Sequence, residues 1–256
     1  MRAMKQNMGI IGALMTRDLI ARFGRDHLGF VWTVLEPLIL TTGVMLIWSL
    51  LKEPTIHGVP VLSFVMTGYM PLTLWRHLTS PMVKIVRKHA SLLYHQPISI
   101  AHILLARILL EVLSLSGALS VTYFVTVSCN LIEPVNNWGL ALLAWLLGAW
   151  YYGALGIVIA GLTEMWEPAE RFVQPIQYLA LPVSGVFFMV DWLPGYARTL
   201  LVLNPSVNYF EMFRGGFLGP GVTTHYSATY LAVCSLAATL LGMATMRGAR
   251  LKLDYA

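Results

Sequence analysis

The stretch that decides the fold is residues 21–37, which read ARFGRDHLGFVWTVLEP. It begins as a basic segment that contains Arg22 and Arg25, and it ends inside an apolar run, residues 30–51. That run would form roughly 33 Å of α-helix, which is enough to cross a bilayer core. Two glycines in the stretch would allow the backbone to turn. We therefore predict an elbow, in which a helix on the cytoplasmic surface turns into the first membrane span.

The composition indicates an integral membrane protein. Hydrophobic residues make up 57% of the 256-residue chain and charged residues only 11%, whereas a soluble domain has about 25% charged residues. So few charges cannot cover the surface of a globular protein in water.

Six apolar segments predict an all-α integral membrane protein with six transmembrane helices in a single domain, residues 1–256. The predicted spans are residues 30–51, 60–81, 100–128, 138–162, 172–190 and 225–246. Residues 1–25 precede them with methionine, isoleucine and leucine at spacings of three and four. This spacing predicts an N-terminal amphipathic helix in the membrane interface, although a short tail helix without a role has the same pattern.

The region between the fifth and sixth spans, residues 191–224, has a different pattern. It holds two apolar stretches that are too short to cross a bilayer, and Asn204-Pro205 separates them. We predict two short re-entrant helices, because non-helical backbone at membrane depth must lie against protein or water. A loop on the membrane surface would also fit this stretch.

The distribution of basic residues predicts the orientation. Six spans place both termini on one side, where twelve Lys and Arg residues fall, against three on the other side. Basic residues concentrate on the cytoplasmic side of membrane proteins. We therefore predict that both termini are cytoplasmic.

The sequence shows no catalytic or metal-binding constellation. It has no Gly-Lys-Ser or Gly-Lys-Thr, and hence no phosphate-binding loop, and its seven histidines have no metal-binding spacing. We predict that Cys129 and Cys234 are buried thiols. An intramembrane enzyme of lipid or glycan metabolism would need acidic metal-binding motifs, and an ion-coupled transporter would need half-repeats and midplane carboxylates. Neither pattern is found, so we expect no cofactor or metal in this chain and an energy source in a partner.

Two motifs carry a resemblance to a known family. The first is Arg22-Phe23-Gly24 with Leu28-Gly29, Trp32 and Leu35-Glu36-Pro37, and the second is residues 92–98, LLYHQPI, with Ala106-Arg107 and Glu111. In these motifs, in length and in the order of its hydrophobic segments, the chain resembles the ABC-type polysaccharide export permeases. Within that family it is most similar to the capsular-polysaccharide branch.

The resemblance implies a transport permease, not an enzyme, that forms a homodimer in the bacterial inner membrane. ATP and Mg would bind to a separate ATP-binding cassette subunit. The substrate would be a lipid-linked polysaccharide, which would then pass to periplasmic or outer-membrane export components. We expect no interaction with nucleic acid. The resemblance also implies paired short helices at residues 191–224, which would face the periplasm. An O-antigen or teichoic-acid permease of the same architecture is the alternative within transport.

The first candidate site is the basic loop after the second span, residues 84–99, which we call the coupling loop. Its candidate contact residues are Lys84, Arg87, Lys88, Leu92, Leu93 and Tyr94. The cationic side chains could meet acidic groups of a soluble partner, and the apolar ones could fill a pocket on it. A loop that only anchors the topology would have the same charge, but the resemblance implies that the ATPase docks here.

The second candidate site is a substrate path. A phosphate-bearing lipid could be held at the cytoplasmic entrance by Arg22, Arg25 and Arg76. Aromatic rings stack on sugar rings, and the resemblance selects four conduit residues, Trp32, Tyr69, Trp75 and Tyr178. The competing explanations are positive-inside anchoring for the arginines and the ordinary interfacial belt for the aromatic residues.

Charged residues inside predicted spans form the third set. Charge in a span is costly and is usually paired or functional, which draws attention to Glu36 in the first span. Arg107 and Glu111 are four residues apart on one helix, so we predict a local ion pair. Glu211 and Arg214, three residues apart, predict another local pair on the outer side.

Overall fold

The computed structural model describes the backbone of residues 2–23, 28–95 and 98–254, and the side chains of residues 6–21, 31–32, 34–93 and 98–250. The fold is all-α, as predicted, and its one strand pair, Thr55–Ile56 with Val59–Pro60, is a short hairpin within the described residues. The helices are α1 Arg2–Phe23, α2 Leu28–Leu51, α3 Val61–Thr79, α4 Ile85–Lys88, α5 Ala90–His95, α6 Ile100–Ser128, α7 Trp138–Met165, α8 Ala169–Ala180, α9 Gly195–Leu201, α10 Pro205–Leu218 and α11 Ala228–Asp254.

Four of the described helices are long and apolar enough to cross a membrane. They are α2, over Val34–Leu51, together with α6, α7 and, over Ala228–Arg250, α11. The second predicted span corresponds to α3, which is shorter and almost fully buried by its neighbours. Its buried hydroxyl groups bond back to carbonyls of their own helix, as Thr67 does to Ser63 and Thr79 does to Trp75. Because these hydroxyl groups are hydrogen-bonded and the helix is buried among its neighbours, α3 can be less hydrophobic than a helix that faces lipid.

Helix α7 lies at the centre of the domain and packs against α11, α3 and α10. Two glycines make this close approach possible. Gly148 faces the ring of Tyr209 and Gly156 faces the carbonyl of Leu78, and neither position has room for a Cβ atom. Small residues at such crossings let helix backbones approach within van der Waals contact, which drives helix association in membranes.

The fifth predicted span, residues 172–190, is not one helix in the structure. Helix α8 stops at Ala180, a single 3₁₀ turn follows over Leu181–Val183, and Gly185 has φ +95°. A proline in the 3₁₀ turn and the left-handed glycine interrupt the helix that hydropathy alone suggested. The chain then runs as irregular backbone to a second 3₁₀ turn, Val190–Trp192.

Two charged side chains of α10 hold this irregular backbone in place. Arg214 is fully buried and donates to the carbonyl oxygens of Gly185, Val186 and Phe188 at 2.6 to 2.7 Å. Glu211, also buried, accepts from the backbone N–H groups of Val190 and His225 at 3.1 and 2.8 Å. The predicted local ion pair is therefore wrong. Each charged side chain instead bonds to backbone groups that have no hydrogen-bond partner within a helix.

The N-terminal helix α1 is present, but its buried face differs from the predicted stripe. Leu14 is buried and Ile10, Ile11 and Met15 pack beside it against the apolar cluster under α6, while Met8 is 67% exposed. Asp18 also turns toward the protein, where it meets basic side chains. This helix is bound to the domain by both apolar and charged contacts.

The prediction of two buried cysteines is wrong. Cys129 is exposed and Cys234 is half-buried. Cys129 directly follows the last residue of α6, where the chain turns away from the packed helices. Cys234 lies on α11, whose apolar window is mostly turned away from the rest of the domain.

We expect Arg214→Met to destabilise the protein by about 3–5 kcal/mol, because three buried carbonyls lose their donor. The matched control is Arg198→Met, since Arg198 also donates to two carbonyls, of Asp191 and Leu193, but is about one-third exposed. The control should lose about 1 kcal/mol or less, because water replaces the lost bonds. The free energy of unfolding of both purified variants in detergent provides the test, and equal losses would contradict the assigned role of Arg214.

Candidate functional site

The end of α3 and the polar face of α8 meet in what we call the α3–α8 seam. Gln177 on α8 donates to Thr79 at 3.0 Å and accepts from Ser80 at 2.9 Å. The opposite face of α8 is apolar, with Phe172 and Ile176 largely exposed. This short helix thus turns its polar side toward the protein and its apolar side away from it, the reverse of a helix at the surface of a soluble protein.

Two of the predicted substrate-path residues come together in the seam. The guanidinium of Arg76 lies 5.9 Å from the ring centroid of Tyr178, a cation–π distance. Both side chains are exposed. They border a cavity of about 20 Å³, whose other walls include Trp75 and Gln174. That volume holds one or two water molecules, so the seam is closed in this conformation.

The other predicted conduit aromatics are placed differently from one another. Trp75 is buried and stacks on Tyr152 with a centroid separation of 5.8 Å, so only its edge reaches the seam. Tyr69 is partly buried between two apolar clusters. Trp32 is 49% exposed on α2, one turn before Glu36, which is also exposed. In this conformation Trp32 and Tyr178 have free ring surface, whereas Trp75 and Tyr69 pack the interior.

Two of the predicted entrance arginines cannot be placed against the seam. The side chain of Arg22 and the whole of Arg25 lie outside the described residues. The elbow proposed between the N-terminal helix and the first span falls in the same gap, residues 24–27. On either side of it the structure has the two predicted helices, α1 and α2.

The coupling loop is bound to the acidic end of α7 and the start of α8. Lys84 Nζ lies 2.6 Å from Glu170, and Arg87 Nε lies 3.3 Å from Glu164. The backbone N–H of Arg87 also donates to Glu164 at 3.2 Å. Contact with Lys84 lowers the pKa of Glu170, so this carboxyl stays ionised.

These ion pairs change the interpretation of the loop. The acidic groups that Lys84 and Arg87 meet belong to the same chain, and among the described residues Lys88 is the exposed cation of the loop with no ion pair. Leu92 and Leu93 are half-buried against the apolar cluster under α6. The side chain of Tyr94 lies outside the described residues. The loop is therefore held firmly to the membrane domain, with Lys88 and part of the leucine pair left for a partner.

A line of five charged or titratable side chains, which we call the charge chain, crosses the domain next to this loop. It runs from His77 at the end of α3 to Glu111 at 3.0 Å, and from Glu111 to Arg107 at 3.2 Å. Arg107 continues to Asp18 at 3.7 Å, and Asp18 to His89 at 3.4 Å. The predicted Arg107–Glu111 pair is confirmed, and the three residues around it were missed.

The charge chain connects the seam to the coupling loop. His77 is the neighbour of Arg76 in the sequence, and His89 lies between α4 and α5 of the loop. The hydrogen bond with Asp18 raises the pKa of His89 above its usual value, which favours its charged form. Glu111 is only 3% exposed as a side chain, so its two partners are needed to offset desolvation. These contacts link the loop, through α1 and α6, to the end of α3.

At the opposite end of the domain lies a polar cleft of about 420 Å³. Asp191 on its wall pairs with Arg198 at 3.3 Å and with His225 at 3.4 Å. Hydrogen bonds from Thr223 and His225 lower the pKa of Asp191. Trp192 stands beside it, tilted against the rings of Phe64 and His57. Sequence reasoning did not select these residues, because they come from three separate segments.

Four helices long and apolar enough to cross a membrane, packed around a polar seam, are what a membrane domain requires. The chain belongs to the ABC-2 type transporter family, whose profile matches residues 10–218. It is 34% identical to the capsule polysaccharide export inner-membrane protein CtrC of Neisseria meningitidis serogroup A, over 93% of this chain and 89% of the relative.

Two further relatives align over the same extent. The chain is 31% identical to the capsule polysaccharide export inner-membrane protein BexB of Haemophilus influenzae, over 93% of this chain and 90% of the relative. It is 22% identical to the polysialic acid transport protein KpsM of Escherichia coli, over 93% and 92%.

Proposed function

We propose that this chain is the transmembrane subunit of an ATP-driven exporter that moves a lipid-linked polysaccharide, of the capsular type, across the bacterial inner membrane. The observation that carries this proposal is the alignment of nearly the whole chain with capsule export proteins at 31 to 34% identity. The family also includes permeases for other polymers, so an O-antigen or teichoic-acid chain is the alternative substrate.

The proposed topology has six membrane segments and cytoplasmic termini. Four would be α2, α6, α7 and α11, and the remaining two would be α3 and the segment that begins with α8. The paired helices α9 and α10 would dip into the periplasmic leaflet and return. The irregular backbone before them supports this, because Arg214 and Glu211 satisfy its polar groups at membrane depth.

Two copies of the chain would form the conduit, each with its own ATPase subunit, which would bind ATP and Mg. The largely exposed apolar surfaces of α2 and α8 offer the faces for this homodimer. Periplasmic and outer-membrane components would receive the polymer. Neither a cofactor nor a catalytic residue is assigned to this chain.

The coupling loop would be the dock for the ATPase, and the charge chain would carry its movement to the α3–α8 seam. In this conformation the seam holds only a water-sized cavity. Movement of α3 against α8 would widen it into a path that Arg76 and Tyr178, already exposed at its border, would line. Arg76, with Arg22 and Arg25, would hold the anionic lipid end of the polymer, while Tyr178 and Trp32 would stack on the first sugars.

We expect Lys88→Glu to abolish most co-purification of the ATPase without loss of membrane insertion. Lys88 is exposed and has no ion pair among the described residues, so its reversal adds repulsion at the dock and leaves the fold intact. Like charges brought together at an interface cost several kcal/mol, or roughly a hundredfold in affinity. Arg171→Glu is the matched control, because Arg171 is exposed near the same end of the domain. Equal co-purification of both variants with the ATPase would exclude the loop as the main dock.

Arg76→Lys tests the seam. Lysine keeps the positive charge but loses the planar fork that binds phosphate with two hydrogen bonds. We expect export to fall roughly tenfold, since a hydrogen bond to a charged group is worth about 1.5–3 kcal/mol. The measurement is surface polysaccharide per inserted permease, and Arg171→Lys serves as the control. If Arg76→Lys exports at the wild-type rate, positive charge alone is sufficient and the proposed phosphate contact is wrong.

A further inference from the structure

A groove between α6 and α11 lies apart from the α3–α8 seam and shares no residue with its cavity. Its walls are formed by Ile100, Ala101 and Leu104 at the start of α6, and by Met243 and Met246 near the end of α11. The groove encloses about 380 Å³, which lies within the size range of small-molecule pockets. Apart from Thr239 and two arginines, every residue that lines it is apolar.

Both arginines, Arg247 and Arg250, lie on the last turns of α11 at one end of the groove. They are three residues apart, so they share one face of the helix. Both are exposed, and neither makes an ion pair with a described residue. Arg107 and Arg87, by contrast, are engaged by carboxylates of the chain itself. Two free guanidinium groups next to an apolar groove therefore leave positive charge available for a ligand.

The position of these groups along α11 sets the depth of the site. The apolar window of α11 extends over Ala228–Arg250, so the two arginines stand at its end, where a bilayer passes from acyl chains to head groups. Arginine at this depth reaches the interface with its charged end and covers apolar surface with its stem. The groove extends from that level toward the membrane interior, past Met246 to Met243. A ligand that fits must carry a negative group at one end and a hydrocarbon chain at the other.

We propose that this groove binds a resident anionic phospholipid of the membrane. Its phosphate would bind Arg247 and Arg250, and one acyl chain would lie along Leu104 and Met243. Basic pockets between membrane helices have the chemistry that holds anionic head groups. A phospholipid is favoured over the exported lipid-linked polymer because the groove shares no lining residue with the seam, where the polymer is proposed to enter.

The site has a consequence for the coupling loop. Ile100, Leu104 and Met246, which line the groove, belong to the same apolar cluster as Ile85 and Val86 of the loop. A lipid in the groove therefore stabilises the cluster on which the loop rests. A ligand that binds only the folded state stabilises it by RT ln(1 + [L]/Kd).

The test uses the full-length protein, purified from a host that makes no export polymer and placed in lipid nanodiscs. We expect phosphatidylglycerol to raise the thermal unfolding midpoint above that in phosphatidylcholine with the same acyl chains, and native mass spectrometry to detect one retained phosphatidylglycerol per chain. Free glycerol phosphate should have no effect, because it lacks the acyl chain. If a lipid is retained only when the export polymer is present, the ligand of the groove is the exported substrate and the proposal is wrong.

Two variants separate the charge from the groove. Arg247→Gln with Arg250→Gln should reduce phosphatidylglycerol retention about tenfold or more, since each lost charged hydrogen bond corresponds to that factor. Ala101→Trp keeps both arginines but fills the groove, and it should also lose the retained lipid. Arg171→Gln removes one exposed guanidinium elsewhere and should behave as the wild type. Undiminished retention of phosphatidylglycerol in the double variant would overturn the proposed site. Retention of the lipid in Ala101→Trp would show that surface charge alone attracts it, and would overturn the groove.

Discussion

The charge chain from His77 to His89 is the constraint on which the half of the domain around the coupling loop depends. Arg107 and Glu111 lie inside an apolar helix, where an unpaired charge would be costly, so each must be held by a partner. The partners come from three other elements: His77 from α3, Asp18 from α1, and His89, through Asp18, from the coupling loop. Separating any one of these elements removes a partner from the charge chain. The four elements are therefore expected to move together.

A second set of contacts fixes the opposite half in a different way. There the charged side chains of α10, Arg214 and Glu211, bond to irregular backbone instead of to one another. These side chains satisfy the free carbonyl and amide groups of the break after α8. The α3–α8 seam, by contrast, is joined by hydrogen bonds between uncharged groups. The junction proposed to open during export therefore breaks no ion pair among these bonds.

The sequence predicted those features that depend on local pattern. The length of the hydrophobic segments was sufficient to predict α2, α6, α7 and α11. The spacing of four residues was sufficient to predict the Arg107–Glu111 ion pair. Arg76 was selected for its charge near the predicted entrance and Tyr178 from the family resemblance, and the structure places the guanidinium 5.9 Å from the ring centroid. The remaining features depend on which helices become neighbours, and no periodicity contains that information.

Three places show where local pattern is insufficient. Residues 172–190 are apolar enough for a span, yet tertiary bonds from Arg214 stabilise a break that hydropathy cannot register. Lys84 and Arg87, which were predicted to contact a partner, also form ion pairs with acidic residues 77 to 86 positions away in the same chain, and the sequence pattern did not predict these pairs. Glu211 and Arg214 have the spacing of an ion pair and instead bind backbone groups. In each case the structure depends on a long-range contact.

The central claim is that the charge chain transmits movement from the ATPase dock to the seam, and His77 tests it most directly. His77→Phe keeps the ring but loses the bond to Glu111, whereas His77→Asn retains a hydrogen-bonding nitrogen near the position of Nδ1. The measurement is polymer exported per ATP hydrolysed, by the permease reconstituted with its ATPase in proteoliposomes. The account predicts that His77→Phe binds the ATPase and hydrolyses ATP at close to the wild-type rate, that its export falls about tenfold, and that His77→Asn exports nearly normally. An unchanged ratio of export to hydrolysis in His77→Phe would contradict the account.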